Sequence, residues 1–402
     1  MVPIRNAGSG PIVVPMAAEH LAYDGTLQWY ADDLIGRGVR RIHVLAWRDL
    51  DDPDAGGSEV HADEFMRRWA AAGLEITHRT SAALGEPASA RRNGYDVIRR
   101  GSRYTVFPRG IAGEIGRTMG RYDAVVEIWN GVPWFSPVWR RTPGITFLHH
   151  VHGPMWDQIL PGPLASFGRA LEARLAPPFY RRGLMATPSD ATREELLELG
   201  FHADRVTAIP NGTDPMFSPG GHKTANPSIV AVGRLAPVKR FELLIDSAVT
   251  ARRTVPGLTL TIVGEGHVHE ALVDQVARRG AGDWIRFAGR VDHAHLVDLY
   301  RSAWIVASGS LAEGWGLSLT EGAGCGTPAV ATNIRGHRSS VVDGVTGILA
   351  PPDKLGAELA RVLLDDALRL RLGQAALERA RTLTWDASAL GIIEVLHRAV
   401  TS

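Results

Sequence analysis

The chain has 402 residues, 45% of them hydrophobic, which exceeds what one core normally organises, so two domains are expected. Its formal net charge of +1 provides no overall field that would select nucleic acid or an anionic membrane. Cys325 is the only cysteine, which excludes a disulfide framework and fits a cytoplasmic location. No signal peptide is recognised, and no run of about 18 apolar residues predicts a membrane span.

The first half alternates strands and helices after a weakly patterned start. Residues 1–38 are expected to form an N-terminal extension, and 39–216 the first domain. Strands are predicted at 41–47, 74–78, 104–107, 123–128, 144–148, 183–187 and 206–209, and helices at 58–72, 109–119, 163–180 and 189–199. Alternation of this kind predicts a parallel sheet with right-handed crossovers.

A turn cluster at 210–215 and a polar linker at 218–227 precede a second alternation. Its strands are predicted at 228–233, 258–263, 284–287, 303–306 and 329–331, and its helices at 239–252, 267–279, 293–301, 316–323, 354–364, 366–381 and 385–400. The second domain is therefore assigned to 217–381. Each half is predicted to be a doubly wound α/β domain, and the cleft between them is the expected ligand site.

Two carboxylates, Glu313 and Glu321, lie between a predicted strand and a helix. Glycines flank the first, and the strand–loop–helix order is where open α/β folds bind phosphates and sugars, because free N–H groups point at the ligand. Their spacing is about 2.2 helical turns, so both can face one cleft. The alternative is a surface loop followed by a solvated helix.

Arg234 and Lys239 follow the first strand of the second half. Arginine grips phosphate through two hydrogen bonds and lysine offers a point charge, so both can converge on one diphosphate. A merely charged helix start is disfavoured, since cations at a helix N-terminus need an anion to offset them.

In the first half, Gly56 and Gly57 stand at a predicted strand–helix turn. Their N–H groups can approach a ligand, although an ordinary turn has the same pattern. His149 and His150 end a predicted strand and should point to opposite sides. We interpret one of them as a hydrogen-bonding group for a polar ligand rather than as a zinc ligand, with simple strand capping as the alternative.

Two charged segments of the first half have competing interpretations. The aspartates of the loop 49–54 could hold Mg²⁺, although a solvated acidic turn is the favoured interpretation. The basic cluster Arg91, Arg92, Arg99, Arg100 and Arg103 could face a phospholipid acceptor or a membrane surface, against a solvated face as the favoured alternative.

Several motifs combine in one order: Trp47-Arg-Asp with Gly56-Gly-Ser-Glu59, Ile209-Pro-Asn-Gly212, Gly233-Arg-Leu with Lys239, Glu313-x7-Glu321, and Leu383-Thr-Trp385. Over about residues 41–400 the chain thereby resembles retaining glycosyltransferases of the GT-B fold, specifically glycosyltransferase family 4. The resemblance implies two Rossmann-like domains facing across a cleft. It also implies that 382–402 pack back onto the first domain.

The resemblance further implies roles for individual residues. Arg234 and Lys239 would bind and neutralise the donor diphosphate, Glu321 the ribose hydroxyls, and Glu313 the transferred sugar. Gly316 and Leu317 would offer backbone amides, Gly57 would approach the phosphates or the acceptor, and Val291 would lie in the loop near the nucleotide base. His149 matches the strand-end histidine of the family, with His150 as the competing assignment.

The predicted function is metal-independent, retaining transfer of a hexosyl group from a GDP- or UDP-linked sugar to a glycan, glycolipid or small-molecule acceptor. No cofactor, metal or nucleic acid is expected, and the location is cytoplasmic, with contact at the inner face of the membrane left open. The alternatives are a nucleotide-sugar epimerase or phosphorylase of the same architecture, or a non-catalytic subunit that binds sugar nucleotides.

Overall fold

The computed structural model describes residues 26–402, and within them the chain forms two sheets. The strands of the first sheet are β1 (Arg41–Leu45), β2 (Glu75–Thr80), β3 (Ser89–Arg92), β4 (Tyr95–Arg99), β5 (Ala124–Trp129), β6 (Gly144–Leu148), β7 (Leu184–Thr187) and β8 (Val206–Ala208). They lie in the order β3-β4-β2-β1-β5-β6-β7-β8, parallel except for the β3–β4 hairpin. Every residue of β5 and β6 is buried, as expected of strands covered on both faces.

The second sheet is entirely parallel. Its strands are β9 (Ser228–Val232), β10 (Thr259–Val263), β11 (Ile285–Gly289), β12 (Ile305–Ser308), β13 (Ala329–Thr332) and β14 (Gly347–Ala350). Their order is β11-β10-β9-β12-β13-β14. Both sheets are of the doubly wound α/β type that the sequence predicts.

Helices cover the sheets. In the first half they are α1 (Leu27–Gly36), α2 (Gly57–Ala71), α3 (Val106–Ile115), α4 (Ser136–Trp139), α5 (Trp156–Ile159), α6 (Gly162–Ala170), α7 (Pro177–Tyr180) and α8 (Asp190–Glu198). The others are α9 (Phe241–Arg252), α10 (His269–Arg278), α11 (His293–Ser302), α12 (Leu317–Gly324), α13 (Arg335–Ser340), α14 (Leu355–Leu364), α15 (Asp366–Thr382) and α16 (Trp385–Thr401).

The last helix, α16, returns to the first sheet. Its Ile392 and Leu396 are fully buried in the same apolar core as the first-sheet strands, and the Trp69 indole donates to the carbonyl of Ala389 at 3.0 Å. Gly212 is required at the approach to this helix, since a Cβ there would lie 2.2 Å from the backbone nitrogen of Trp385. The Pro-Asn-Gly turn and the Leu-Thr-Trp segment therefore pack against each other.

The described part of the N-terminal extension is α1, whose Ala31 and Leu34 join the first core, while residues 1–25 lie outside the described residues. The strand predicted at 104–107 is wrong, since α3 begins at Val106. The β3–β4 hairpin and β14 are absent from the prediction. The predicted helix 163–180 consists of α6, a π-helical segment at Leu171–Leu175 and α7.

Candidate active site

Both sheets contain a point where successive strands are added on opposite sides. In the first sheet β2 and β5 flank β1, and in the second β10 and β12 flank β9. Ligands of open α/β sheets bind in the crevice outside the carboxyl ends of the strands at such points. The loops after β9 and β12 contain the predicted site residues Arg234 and Glu313, and Gly57 begins α2 directly after the loop that follows β1.

Glu313 is held in the loop after β12 by two donors. Its Oε1 accepts from Lys239 Nζ at 2.5 Å and from Ser310 Oγ at 2.8 Å, and its side chain is 16% exposed. Burial raises the pKa of Glu313, but the charge of Lys239, the charge of His337 and the hydrogen bonds from Lys239 and Ser310 together outweigh burial, and the pKa lies below its ordinary value. Glu313 is therefore an ionised carboxylate whose neutralising partner is the lysine predicted to bind the donor.

Glu321, on α12, has a different partner. Its Oε2 accepts from the hydroxyl of the fully buried Tyr300 at 2.7 Å, and burial raises its pKa. The two glutamates share no hydrogen-bond partner among the described residues. They are thus two separate contacts rather than an acid–base pair that exchanges one proton.

Arg234 is exposed in the loop after β9, and no carboxylate of the described residues pairs with it. Its Nη1 lies 3.5 Å from the carbonyl oxygen of Asp54, in the loop after β1. Arg48, mostly buried on the face of Trp47, lies close enough to feel the charge of Arg234. Two guanidinium groups from different sheets therefore lie near one another, which favours an anion between them. Arg48 was not predicted as a site residue.

The N-termini of α2 and α12 face each other. A Cβ at Gly57 would lie 2.9 Å from Cδ1 of Leu317, so the two turns are in close contact. Gly316 takes the left-handed conformation, with φ of +102°, directly before α12. Because the first N–H groups of a helix lack acceptors within it, two positive helix ends converge here.

His149 and His150 differ in orientation. The ring of His149 is buried edge-on against His61 at 5.0 Å, and its carbonyl oxygen lies 2.5 Å from where Gly314 would carry a Cβ. The ring of His150 lies within the field of Glu313 and of the lysine that neutralises it. The His150 ring therefore lies near Glu313, and the His149 carbonyl contacts the Glu313 loop.

Both imidazoles are neutral. Burial, followed by the neighbouring His152, lowers the pKa of His150 to about 3, and burial also holds the pKa of His149 well below its ordinary value. Neither Nε2 atom has a hydrogen-bond partner among the described residues. The Nε2 of His150 can therefore donate to or accept from a bound molecule.

Val291 follows β11, and its side chain is half-buried against the second domain's core. The neighbouring Arg290 donates from Nη2 to the carbonyl of Pro53 at 3.1 Å. The loop after β11 and the acidic loop 49–54 are thus in contact.

Two sequence families match the chain in succession. Residues 55–217 match the family described as Glycosyltransferase Family 4, and 213–379 match Glycosyl transferases group 1. The chain belongs to the GT-B glycosyltransferases of family 4.

Relatives of this glycosyltransferase include D-inositol 3-phosphate glycosyltransferases. The one from Kribbella flavida is 28% identical, over 88% of this chain and 95% of the relative. The relative from Frankia alni is 29% identical, over 90% of this chain and 98% of the relative. Glycogen synthase of Mycobacterium tuberculosis is 35% identical over about half of each chain, 52% and 53%.

Solved structures share the fold of this glycosyltransferase. Sucrose-phosphate synthase from Thermosynechococcus elongatus superposes with a TM-score of 0.74 at 20% identity, over 89% of this chain and 98% of that one. Anabaena HepE in complex with UDP and glucose superposes with a TM-score of 0.69 at 19% identity, over 89% of this chain and 99% of that one.

Glu172 supports residues 149–153 after β6, which we call the histidine loop, and it was not predicted as a site residue. It is buried in the π-helical segment, and accepts hydrogen bonds from the backbone N–H groups of His152 at 2.8 Å and Gly153 at 2.9 Å, and from the Trp156 indole at 3.2 Å. His152 in turn stacks on His150 at 4.3 Å. A lone glutamate in an apolar helix is a sequence signal that could have identified it.

The acidic loop and the basic cluster pair with each other. Four of the five arginines of the cluster form ion pairs, Arg91 with Asp96 and the other three with the acidic loop. Asp49 is fully buried between Arg92 and Arg99. Both interpretations of Arg92 and Arg99, a lipid-facing surface and a solvated face, are therefore wrong, because their charges are neutralised within the domain.

In residues 26–402, no cluster of three or more His, Cys, Asp or Glu is arranged to hold a metal ion. The same part of the chain has no helix that is long and apolar enough to cross a bilayer.

Proposed function

We propose that this glycosyltransferase moves a hexosyl group from a GDP- or UDP-linked sugar to a glycan, glycolipid or small-molecule acceptor, with retention of configuration and without a metal ion. The observation that carries the proposal is the grouping of Arg234, the Lys239–Glu313 pair and the N-termini of α2 and α12 at one cleft. This grouping suits an anion joined to a sugar.

The charges suit a diphosphate leaving group. As the sugar–phosphate bond breaks, negative charge develops on the diphosphate, and fixed cations and helix N-termini stabilise it. Within residues 26–402 no carboxylate pairs with Arg234, and Lys239 is already oriented by Glu313. These two residues then take the role that a divalent cation would otherwise have.

The remaining contacts divide between the two ends of the donor. Glu321, held by Tyr300, accepts from ribose hydroxyls, and Val291 lies beside the base. Glu313 and the His150 ring lie at the sugar, with the His149 carbonyl beside them. Closure of the two domains excludes water, which competes with the acceptor.

The relatives support a small polar acceptor as the first one to test. Two of them are D-inositol 3-phosphate glycosyltransferases, and the neighbour from Anabaena was crystallised with UDP and glucose. Inositol phosphate, with UDP-glucose or UDP-N-acetylglucosamine as donor, is therefore the first pair to assay. The nucleotide chemistry fits the cytoplasmic location expected from the sequence.

The test is a donor screen followed by product analysis. We expect UDP- or GDP-sugars to raise the melting temperature equally with EDTA and with Mg²⁺. Transfer should proceed in EDTA, and proton NMR should give the product the anomeric configuration of the donor. Inversion would disprove retention, loss of turnover in EDTA would disprove metal independence, and product formed without an acceptor would favour an epimerase.

A further inference from the structure

The polar linker 218–227 between the two domains is attached to the end of helix α11. Arg301, in the last turn of α11, donates from Nε to the carbonyl of Ser218 at 2.7 Å and from Nη2 to its hydroxyl at 3.0 Å. Further along the linker, the carbonyl of Thr224 accepts from the indole of Trp304, which follows the helix, at 2.8 Å. The linker is therefore not a loose tether, because the second domain binds its backbone at two points.

Lys223 lies in this linker and turns its ammonium group inward. Although the residue as a whole is exposed, its Nζ donates to the carbonyl of Ala303 at 2.6 Å and to the hydroxyl of Thr327 at 2.7 Å. Both acceptors belong to buried residues, and no carboxylate of residues 26–402 pairs with Lys223. A lysine normally keeps its ammonium in water, so this orientation needs a reason. Ala303 is the C-cap of α11, where a cation is favourable beside the last carbonyls of the helix.

A short chain of hydrogen bonds leads from Lys223 to the predicted ribose contact. The Thr327 hydroxyl, which accepts from Lys223, donates to the carbonyl of Tyr300 at 2.6 Å. The Tyr300 hydroxyl in turn donates to Glu321 Oε2 at 2.7 Å. Tyr300 lies on α11, and Thr327 follows α12, the helix that carries Glu321. Lys223 and Thr327 thus join the C-terminal ends of α11 and α12, and these two helices set how Tyr300 meets Glu321.

We propose that Lys223 is a positioning residue for the donor nucleoside: it fixes α11 against α12, so that Tyr300 holds the Glu321 carboxylate where it meets the ribose hydroxyls. The inference rests on the proposed function, in which Glu321 accepts hydrogen bonds from ribose. Lys223 acts through Thr327 and Tyr300 rather than by contact with the donor. Because a misplacement of about 1 Å is enough to lose a well-oriented contact, a small shift of α11 loses the ribose contact while the diphosphate contacts remain.

A positioning role differs from a purely structural one in which ligands are affected. If Lys223 only stabilised the second domain, its removal would weaken the binding of every nucleotide by the same factor. If Lys223 positions Tyr300 and Glu321, its removal weakens the binding of nucleotides that carry ribose hydroxyls and spares those that lack them.

Calorimetric dissociation constants for UDP, GDP and their 2′,3′-dideoxy counterparts test the proposal. We expect the wild type to prefer a ribonucleotide by at least about tenfold, because hydrogen bonds to a charged group are lost with the hydroxyls. Glu321→Ala should abolish this preference, and Lys223→Met should reduce it to about threefold or less while the dideoxy nucleotide binds as before. Thr327→Val, which removes the intervening hydroxyl, should behave as Lys223→Met does, whereas Thr327→Ser, which keeps the hydroxyl, should behave as the wild type.

The matched control is Lys354→Met, which removes an exposed lysine of the second domain and should keep the wild-type preference. Equal weakening of both nucleotide types in Lys223→Met, or an unchanged preference, overturns the positioning role, and the proposed function still stands if Glu321→Ala has lost the preference. A wild type without nucleotide binding or without the preference, or a preference that survives in Glu321→Ala, instead refutes the ribose contact of the proposed function, and the role of Lys223 falls with it.

Discussion

On the second-domain side of the cleft, the site consists of short loops that follow β9 and β12, and one ion pair, Lys239–Glu313, joins them. On the first-domain side, the loop after β1 depends on Arg92, Arg99 and Arg103, about 50 residues further along. The histidine loop depends on Glu172, in a helix beyond it.

The two sides of the cleft differ in whether the residues that bind the donor also stabilise the loops that carry them. In the second domain, the predicted binding residues stabilise one another, so a change there should affect catalysis first. In the first domain, the loops near the ligand are held by buried charges that do not reach it, so a change there should affect folding as much as turnover.

The largest effect is expected for Asp49→Ala. The variant removes the fully buried one of the two carboxylates that pair with Arg99, whose side chain is only 1% exposed, and leaves the partly exposed Asp51 as its remaining counter-charge. Loss of this buried pair costs up to about 3–5 kcal/mol. Such a loss lowers the melting temperature of a domain of this size by roughly 6–20 °C. Asp96→Ala, which breaks the exposed pair with Arg91, is the control and should cost below about 1 kcal/mol. Equal shifts in the two variants would contradict the role of the buried pair.

Lys239→Ala tests the second-domain side of the cleft. Loss of a fixed cation beside the developing diphosphate charge should lower kcat/KM by about 10²–10³-fold. The control, Lys354→Ala, removes an exposed lysine before α14 and should leave kcat/KM unchanged. Turnover of Lys239→Ala within about twofold of the wild type would remove Lys239 from the catalytic group.

Glu172→Ala should reduce both stability and turnover. It leaves three donors of the histidine loop without an acceptor, at about 1–3 kcal/mol for a buried group, and a displaced loop can lower kcat by up to about 100-fold. His150→Asn should lower kcat while the melting temperature stays unchanged, which separates the ring from its support. Full activity in Glu172→Ala would mean that the histidine loop keeps its position without Glu172. The control is Glu194→Ala, on the exposed face of α8, which should change neither stability nor turnover.

The two glutamates should respond to pH with opposite signs. The lowered pKa of Glu313 contributes stability that is present above its unfolded pKa, about 4.3, and is lost as pH falls through the folded value. The raised pKa of Glu321 contributes stability only at low pH, and this is lost as pH rises through the folded value. At neutral pH, Glu313→Gln should therefore melt below the wild type and Glu321→Gln above it, by roughly 2–4 °C for each 1 kcal/mol. Calorimetry at pH 7 and pH 4 measures the melting temperatures of both variants. Shifts of the same sign at pH 7 would contradict the opposite pKa directions of the two glutamates.

The sequence predicts the buried, apolar strands and those site residues that belong to short sequence motifs. The strand runs of β5, β6 and β9 are recognised because their buried side chains are nearly continuous. The β3–β4 hairpin is not recognised, since Arg92 and Arg99 carry no strand pattern and their ion-pair partners lie far upstream in the chain. Residues 104–107 have strand-forming side chains, yet Thr105 Oγ1 accepts from the backbone of Ser102 at 2.8 Å and a helix begins.

The functional site divides in the same way. Arg234, Lys239 and Glu313 lie between a strand and a helix, and Glu321 lies on α12. A motif can specify all four positions. The contribution of Glu172 exists only after the helix that contains it packs beside the histidine loop. Likewise, strand alternation predicts that His149 and His150 point apart, but only the packed His61 and His152 rings decide which one faces Glu313.

The smallest effect is expected where the two domains are joined by exposed charges. Arg335, at the start of α13, lies 3.3 Å from Glu195 and 3.2 Å from Glu198 of α8. Exposed pairs contribute about 0–1 kcal/mol, so Arg335→Ala should leave the melting temperature almost unchanged. Because the pair crosses between domains, its loss should disfavour closure and raise the donor KM by up to about fivefold at constant kcat. High salt should reproduce this KM in the wild type and have no further effect on the variant. A lower kcat in Arg335→Ala would instead show that the contact between Arg335 and α8 helps to hold the catalytic residues in place. In that case α8 would belong, with Glu172 and the arginines around Asp49, to the elements of the first domain that support the site.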